Sequence, residues 1–173
     1  MRREDGFTLV ELMAAITLSA VLLALSAGAL RTFWLNQGLD GAAGEIRSQL
    51  RQLQQRAESE SHPIVYGGWF IQGSSTWGVV RYNAGSNSCA SAGIRTFDAG
   101  VTVSAIQNFD VPSAYITTCR SALQTAGVAN ASTARMSFFY ARGTATAGSV
   151  TLRQPALDRT RTVGVTALTG RVS

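Results

Sequence analysis

Gly6-Phe7-Thr8-Leu9-Val10-Glu11-Leu12 precedes an uncharged run of eighteen residues, Met13–Leu30, that is rich in Leu, Ala and Val. A helix needs roughly 20 apolar residues, at ~1.5 Å rise each, to cross the core of a bilayer. The run is therefore about long enough to span a membrane. Glu11 lies at its head, where a carboxylate without a partner is unfavourable, so the sequence predicts a counter-charge for it.

Three interpretations of this N-terminus are open. It could be a secretory signal peptide, with Arg2-Arg3 as the basic region and Ala27-Gly28-Ala29 as the cleavage site. It could be a plain membrane anchor whose basic residues hold the N-terminus inside. In the third interpretation a peptidase cuts after Gly6, and the apolar run stays in the mature protein. Glu11 favours the third, because it serves no purpose in a signal peptide, whereas the new ammonium of Phe7 can neutralise a Glu11 in a neighbouring subunit.

The segment from Gly6 to Leu12 resembles the class III leader of type IV pilins and type II secretion pseudopilins. In that family the prepilin peptidase cuts after the glycine and methylates the new N-terminal residue. The resemblance therefore implies cleavage between Gly6 and Phe7, N-methylation of Phe7, and a part for Glu11 in subunit assembly. It also implies several partners: prepilin peptidase, other pilins or pseudopilins, the inner-membrane assembly platform and the membrane itself.

A second stretch of helix follows the apolar run. Past Arg31, apolar residues recur in steps of three and four, which predicts one apolar stripe on a helix that ends before Pro63. We therefore expect a leader over 1–6, one long helix over 7–61 that spans the membrane at about 12–31, and an extracytoplasmic domain over 62–173. The protein would be single-pass in the inner (cytoplasmic) membrane, with its N-terminus in the cytoplasm. The stripe consists of Leu35, Leu39, Ala42, Ile46, Leu50, Leu53 and Ala57.

From Ile64 onward, short β-type runs alternate with clusters of Gly, Ser, Asn and Ala. The predicted fold class is α+β, a long N-terminal helix packed on an antiparallel β-sheet or sandwich domain. Two segments, Asn83–Gly93 and Asn108–Ala134, are predicted to be an exposed loop and a long irregular segment. Strands are predicted near Ile64–Ile71, Thr76–Tyr82, Gly100–Ile106, Arg135–Ala141, Ser149–Arg153 and Arg161–Leu168.

Cys89 and Cys119 are the two cysteines of the chain. If the domain lies outside the cytoplasm, a disulfide between them can persist. It would close a loop of about 31 residues, worth roughly 3–4 kcal/mol in the loop-entropy model. Neither cysteine belongs to a Cys-x-x-Cys pair, and His62 is the single histidine, so we expect a structural disulfide and no metal site.

The basic residues are all arginines, fifteen in number, and nine of them lie from Arg81 to Arg171. The acidic residues of that region are Asp98, Asp110 and Asp158. Such an excess of positive charge can attract polyanions or an anionic surface. Solvated arginines favoured by a high-GC genome are the simpler explanation.

The C-terminal third carries a second resemblance. Its residues Met136–Phe139, Gly143, Val150 and Leu152, together with Arg161–Val163 and Thr169–Val172, are similar to the end of the GspH/FimT family of minor pilins and pseudopilins. Some FimT-type members bind DNA through a terminal Gly-Arg-x-Arg, of which Gly170 and Arg171 match while Ser173 replaces the second arginine. The resemblance makes Arg171, Arg161 and Arg159 candidate DNA contacts, with DNA as a further partner.

Enzyme chemistry finds little support in this sequence. The Gly-x-Ser-x-Gly and phosphate-binding glycine motifs are absent, as is any lysine for a Schiff base. We therefore expect a structural protein that has no catalytic residues and takes no cofactor. Within the pilin-like class, a minor pilin of a type IV pilus and a pseudopilin of a type II secretion system both fit the two ends of the chain. An exported β-domain with a cleaved signal peptide is the alternative outside that class.

Overall fold

A computed structural model describes residues 8–60, 63–109, 113–167 and 169–173. The first element is a helix of 51 residues, α1 (Leu9–Ser59), about 75 Å long at the usual rise per residue. Thr8 caps its start, because the Thr8 hydroxyl accepts a hydrogen bond from the Glu11 N–H at 3.2 Å. At its end the Glu60 N–H donates to the Arg56 carbonyl at 2.9 Å. The predicted helix end at Ser61 lies outside the described residues.

The two halves of α1 have different surroundings. Its first half is exposed throughout, while the second half buries one stripe of side chains against the domain. This is the stripe that the three- and four-residue spacing predicts, except that Leu35 is half-buried and Ala43 joins it. The buried residues are Leu39, Ala42, Ala43, Ile46, Leu50, Leu53 and Ala57.

After α1 come seven strands, a second helix and a 3-10 turn over Ala131–Thr133 in the described part of the chain. All of the strand pairs are antiparallel. The strands are β1 (Ile64–Phe70), β2 (Thr76–Asn83), β3 (Ser88–Thr96), β4 (Thr102–Gln107), β5 (Arg135–Phe139), β6 (Gly148–Gln154) and β7 (Arg159–Val165), and α2 (Ser113–Thr125) lies between β4 and β5.

The strands form two sheets. The first sheet has the order β3-β2-β1-β5 and the second has the order β4-β6-β7. Backbone hydrogen bonds join the sheets at two places: Val103 exchanges bonds with the 73–74 turn, and the Thr146 N–H donates to the Phe138 carbonyl. The two sheets therefore act as one support for α1.

The buried stripe of α1 packs on both sheets in one apolar core. From the first sheet it meets Tyr66, Phe70 and Trp77, and from the second sheet Leu152 and Val163. Gly68 on β1 permits this close approach, because a Cβ there would lie only 2.8 Å from the Leu50 side chain. The opposite face of the first sheet is covered by α2, whose Cys119 and Leu123 are fully buried beside Trp69 and Phe138.

The predicted fold class is confirmed: a long N-terminal helix lies on antiparallel sheets. Tyr66, Trp69 and Trp77 are buried in the core. Several strand ends differ from the predicted ones by one to three residues, and the predicted end at Leu168 lies outside the described residues.

Two loop predictions were wrong. The segment Asn83–Gly93 is largely strand, because β3 begins at Ser88 and pairs with β2 despite its small residues. The segment Asn108–Ala134 contains α2, which is stabilised by burying one side on the first sheet. The disulfide therefore joins a strand to a helix, and not two loops.

Candidate functional site

The first half of α1 presents a continuous apolar surface. Large side chains along it are mostly exposed, for example Leu9 (75%), Leu18 (67%) and Leu25 (72%). The helix contains an apolar window of eighteen residues, none of them buried within the chain, that is long enough to cross a membrane. A soluble domain rarely leaves so much contiguous apolar surface in water, so this half of the helix requires another environment.

Three hydroxyl side chains within this half are compatible with an apolar environment. The Thr17 hydroxyl bonds the Met13 carbonyl at 3.0 Å, and the Ser26 hydroxyl donates to the Leu22 carbonyl at 2.8 Å. The Thr32 hydroxyl donates to Gly28 O at 3.1 Å. Since these hydroxyls have partners on their own helix, moving them into lipid or between apolar helices leaves no donor unsatisfied.

Glu11 is the acidic residue of the first turn of α1. It is exposed, and within the described residues no cation lies within ion-pair distance of its carboxylate. It lies near the helix N-terminus, where the helix dipole is positive. The carboxylate is therefore free to meet a positive charge from another molecule. The other two residues of the predicted processing site, Gly6 and Phe7, lie outside the described residues.

Comparison with known protein families bears on this N-terminus. Residues 1–27 match a family described as the prokaryotic N-terminal methylation motif. The chain carries a prepilin-like methylation motif. Neither the curated proteins nor the solved structures contain a significant match to the chain.

The methylation motif covers Gly6, Phe7, Glu11 and most of the apolar run. Together with the exposed apolar half of α1, it supports a pilin-like protein that is processed by prepilin peptidase and anchored in a membrane. The motif is typical of structural proteins and not of enzymes. It does not reach the C-terminal residues that resemble the GspH/FimT family, so that resemblance stays a prediction.

The two cysteines form a disulfide between β3 and α2. Cys119 is fully buried, whereas Cys89 is half-buried at the edge of the first sheet. Because β3 is an edge strand, the bond ties the edge of the sheet to the helix that covers its face. The expected structural disulfide is therefore present, and its role is to hold α2 in place.

The three candidate DNA contacts lie at two different places. Arg161 on β7 forms an ion pair with Asp40, and Arg159 donates to the Asn36 side chain at 3.0 Å. Both of these arginines thus contact α1 close to its exposed apolar half. Arg171 lies elsewhere, on an open groove of about 440 Å³ between the C-terminus and the second half of α1.

This groove brings Arg171 together with Arg51, a residue that the sequence did not single out. Arg51 donates to the Val172 carbonyl at 3.3 Å, and Gln54 donates to the Thr169 carbonyl at 3.1 Å. Glu58 also lines the groove and partly offsets the positive charge. No sequence pattern could have paired these residues, because the helix and the C-terminus are more than a hundred residues apart.

Sequence reasoning also missed two aromatic residues, Phe33 and Trp34, that lie three and four positions past the end of the apolar run at Leu30. They are 60% and 65% exposed. Their rings meet edge to face, with centroids 6.2 Å apart. A cluster of aromatic side chains at the end of an apolar run was visible in the sequence and is a known signal of a membrane boundary.

Proposed function

We propose that this chain is a minor pilin or pseudopilin that is inserted in the inner membrane, processed by prepilin peptidase, and then joins or primes a type IV pilus or a type II secretion pseudopilus. One observation carries the proposal. The half of α1 that the methylation motif largely covers is exposed and mostly apolar, while the other half of the same helix is fixed to a folded domain. A helix built in this way can anchor a single subunit in lipid and can later pack against the same helix of its neighbours.

The proposed domain organisation follows from this division. Residues 1–6 are the leader that is removed, residues 7–61 form the long helix with its membrane span at about 12–31, and residues 62–173 form the extracytoplasmic domain. The disulfide fits this placement, because such bonds persist outside the cytoplasm.

The proposed mechanism is assembly and not catalysis. The prepilin peptidase cuts after Gly6 and methylates Phe7, and the ammonium of Phe7 then pairs with the Glu11 carboxylate of a neighbouring subunit. In the apolar interior of a helix bundle an unpaired Glu11 would cost several kcal/mol. The pairing therefore favours one register between subunits over others.

N-terminal sequencing of the mature protein tests the proposal most directly. We expect N-methylated Phe7 as the first residue. A mature protein that begins near Leu30 would instead identify an exported β-domain with an ordinary signal peptide, and it would exclude filament assembly through α1. An intact Met1 would exclude processing.

Type IV pilus and type II secretion roles differ in the filament that the subunit joins. A minor pilin would prime or cap a surface filament, whereas a pseudopilin would form part of a periplasmic piston tip. Deletion of the gene separates them: loss of surface pili indicates the first, and retention of secreted proteins in the periplasm indicates the second.

DNA binding is the second candidate function. It is supported by the groove that holds Arg171 and Arg51, together with the excess of arginine in the domain. Phosphate contacts of this kind weaken steeply as salt is raised. A salt-dependent shift of DNA by the purified chain in detergent would support this function, and absence of a shift at low salt would remove it.

A further inference from the structure

Phe33 and Trp34 lie on the same face of α1 as Leu30, because positions three and four apart are neighbours on a helix. All three side chains are more than half exposed. The first fully buried side chain of the helix, Leu39, comes more than one turn later. An exposed apolar surface thus continues past the membrane-length run, ends in two aromatic rings, and stops just before the domain begins.

Helix geometry sets how far these rings lie from the apolar run. At ~1.5 Å per residue, Phe33 and Trp34 lie about 5 and 6 Å past Leu30 along the axis. The polar layer on each side of a bilayer core is about 5–7 Å thick. With Met13–Leu30 in the core, both rings therefore fall within this layer, where tryptophan, which has an apolar body and a polar N–H edge, is enriched.

The domain approaches the helix directly above these rings. Ala99, in the turn between β3 and β4, contacts α1 at Gly38, where an added Cβ would lie 2.8 Å from the Ala99 Cβ. This contact is about 12 Å past Leu30. Below it, on the membrane side, Trp34, Leu35 and Ala99 line a mostly apolar groove of about 380 Å³.

We propose that Phe33 and Trp34 lie in the headgroup layer of the extracytoplasmic leaflet, and that lipid fills the groove beneath the Ala99 turn, so that the unassembled subunit is seated on the membrane at a fixed height. The proposal rests on the membrane anchoring of the proposed function. Lipid is the occupant because the groove is continuous with the apolar surface of the anchor. Arg31 and Arg159 are cationic at this level, while Asp98 beside Ala99 is acidic and exposed, so one net positive charge remains here, and the test below uses a zwitterionic lipid that this charge does not attract.

Tryptophan fluorescence gives a test, because Trp69 and Trp77 are fully buried in the domain and leave Trp34 as the exposed indole of the three. The full chain is reconstituted in phosphatidylcholine vesicles whose acyl chains carry bromine either near the carbonyl end or near the methyl end. We expect the shallow bromine to quench the emission more than the deep bromine, and we expect Trp34→Phe to remove this difference. Aqueous iodide should quench the emission little.

Two further variants calibrate the depth. In Trp34→Phe with Leu25→Trp, quenching should shift to the deep bromine, since residue 25 lies about 13 Å further into the bilayer. In Trp34→Phe with Ser48→Trp, iodide should replace bromine as the stronger quencher, since residue 48 is exposed and lies about 27 Å past Leu30. The proposal is overturned if wild-type emission is quenched by iodide and by neither bromine. It is also overturned if the Trp34 emission changes with the protein-to-lipid ratio but is the same for the shallow and the deep bromine, because a second copy of the chain would then cover Trp34.

Carbonate extraction of the same vesicles separates this proposal from the anchor on which it depends. Protein that stays with the vesicles is anchored, whatever the result for Trp34. Protein that is released refutes the anchor itself. Anchored protein with an iodide-accessible Trp34 refutes only the placement of Phe33 and Trp34 in the headgroup layer.

Discussion

The Arg161 guanidinium on β7 lies 2.6 Å from the Asp40 carboxylate on α1. One turn earlier on α1, the Asn36 side chain accepts a hydrogen bond from Arg159, also on β7. These contacts tie the edge of the second sheet to the helix where its exposed half gives way to its buried half. They also engage two of the three arginines that the sequence suggested for DNA.

Arg171 and Arg161 should therefore differ in their effect on DNA binding. Arg161 is partly neutralised by Asp40, whereas Arg171 forms no ion pair with any of the described residues. We expect Arg171→Ala to weaken DNA binding more than Arg161→Ala and to lower its salt dependence by about one phosphate contact. Titration of a labelled duplex at several salt concentrations measures both quantities. Equal losses of DNA affinity in the two variants would mean that binding depends on the total charge of the domain and not on the position of Arg171.

Reduction of the disulfide should destabilise the domain. Cys89 and Cys119 are 30 positions apart, and opening a loop of this size costs roughly 3–4 kcal/mol in the chain-entropy model. Urea unfolding of the full chain in detergent, with and without reductant, measures the change. The double variant Cys89→Ala with Cys119→Ala is the control, and reductant should not alter its stability. A wild-type domain that is equally stable when reduced would show that packing alone holds α2.

Deprotonation of Tyr66 should lower the stability of the domain at alkaline pH. Its hydroxyl donates to Glu60 at 2.7 Å, and the pKa of the phenol is raised above its ordinary value of 10.0, first by burial and then by Glu60, while Arg81 acts in the opposite direction. The folded state therefore holds the phenol proton more tightly than the unfolded chain does. This contribution is complete below about pH 10 and is lost as the pH rises through the folded pKa.

We expect the unfolding free energy of Tyr66→Phe to decline less above pH 10 than that of the wild type. At neutral pH the variant should be less stable by about 1 kcal/mol, because it lacks the hydrogen bond to Glu60. Burial also raises the pKa of Tyr140, so part of the alkaline loss should remain, and Tyr140→Phe is the matched comparison. If the unfolding free energies of wild type and Tyr66→Phe decline in parallel above pH 10, then Tyr66 does not cause the alkaline loss of stability.

The sequence revealed those parts of the fold that depend on local periodicity. The steps of three and four from Leu39 to Ala57 predicted the buried stripe of α1. The same spacing was present in α2, where Tyr115, Cys119 and Leu123 recur every four residues, but the surrounding serines and threonines obscured it. The Thr117 and Thr125 hydroxyls donate to carbonyls one turn earlier, so these residues are tolerated within the helix.

Other features depend on contacts between distant parts of the chain. The small residues of β3 have weak strand propensity, and the strand forms because β2 supplies its partner. Arg161 and Asp40 are 121 positions apart, so no local pattern could have paired them. Glu11 could be identified from its place beside the apolar run, whereas its proposed partner belongs to a second subunit, which a single chain does not contain.

Replacement of Gly6 should block processing. A branched side chain at the residue before the cut prevents the peptidase from accepting the leader, so Gly6→Val should accumulate as an unprocessed precursor. Intact-mass measurement should show a difference of six residues, Met1–Gly6, and no N-methyl group on Phe7. Gly28→Ala in the apolar run is the control, because a Cβ there meets nothing within 4 Å. Normal maturation of Gly6→Val would place the cut elsewhere.

Replacement of Glu11 should separate membrane insertion from assembly. Glu11→Ala removes the one carboxylate beside the apolar run, which makes the run more favourable in lipid, so insertion and cleavage should be unchanged. Assembly should be lost, because the Phe7 ammonium of a neighbour would be buried without a counter-charge, at a cost of several kcal/mol.

The control is Glu58→Ala, which removes the same charge from the same helix far from the membrane half. Membrane fractionation and the subunit content of sheared filaments measure the two steps separately. Glu58→Ala should assemble like the wild type. If Glu11→Ala also enters filaments at the wild-type level, then the ammonium of Phe7 is neutralised by some other group, and the apolar surface of α1 alone sets the register between subunits.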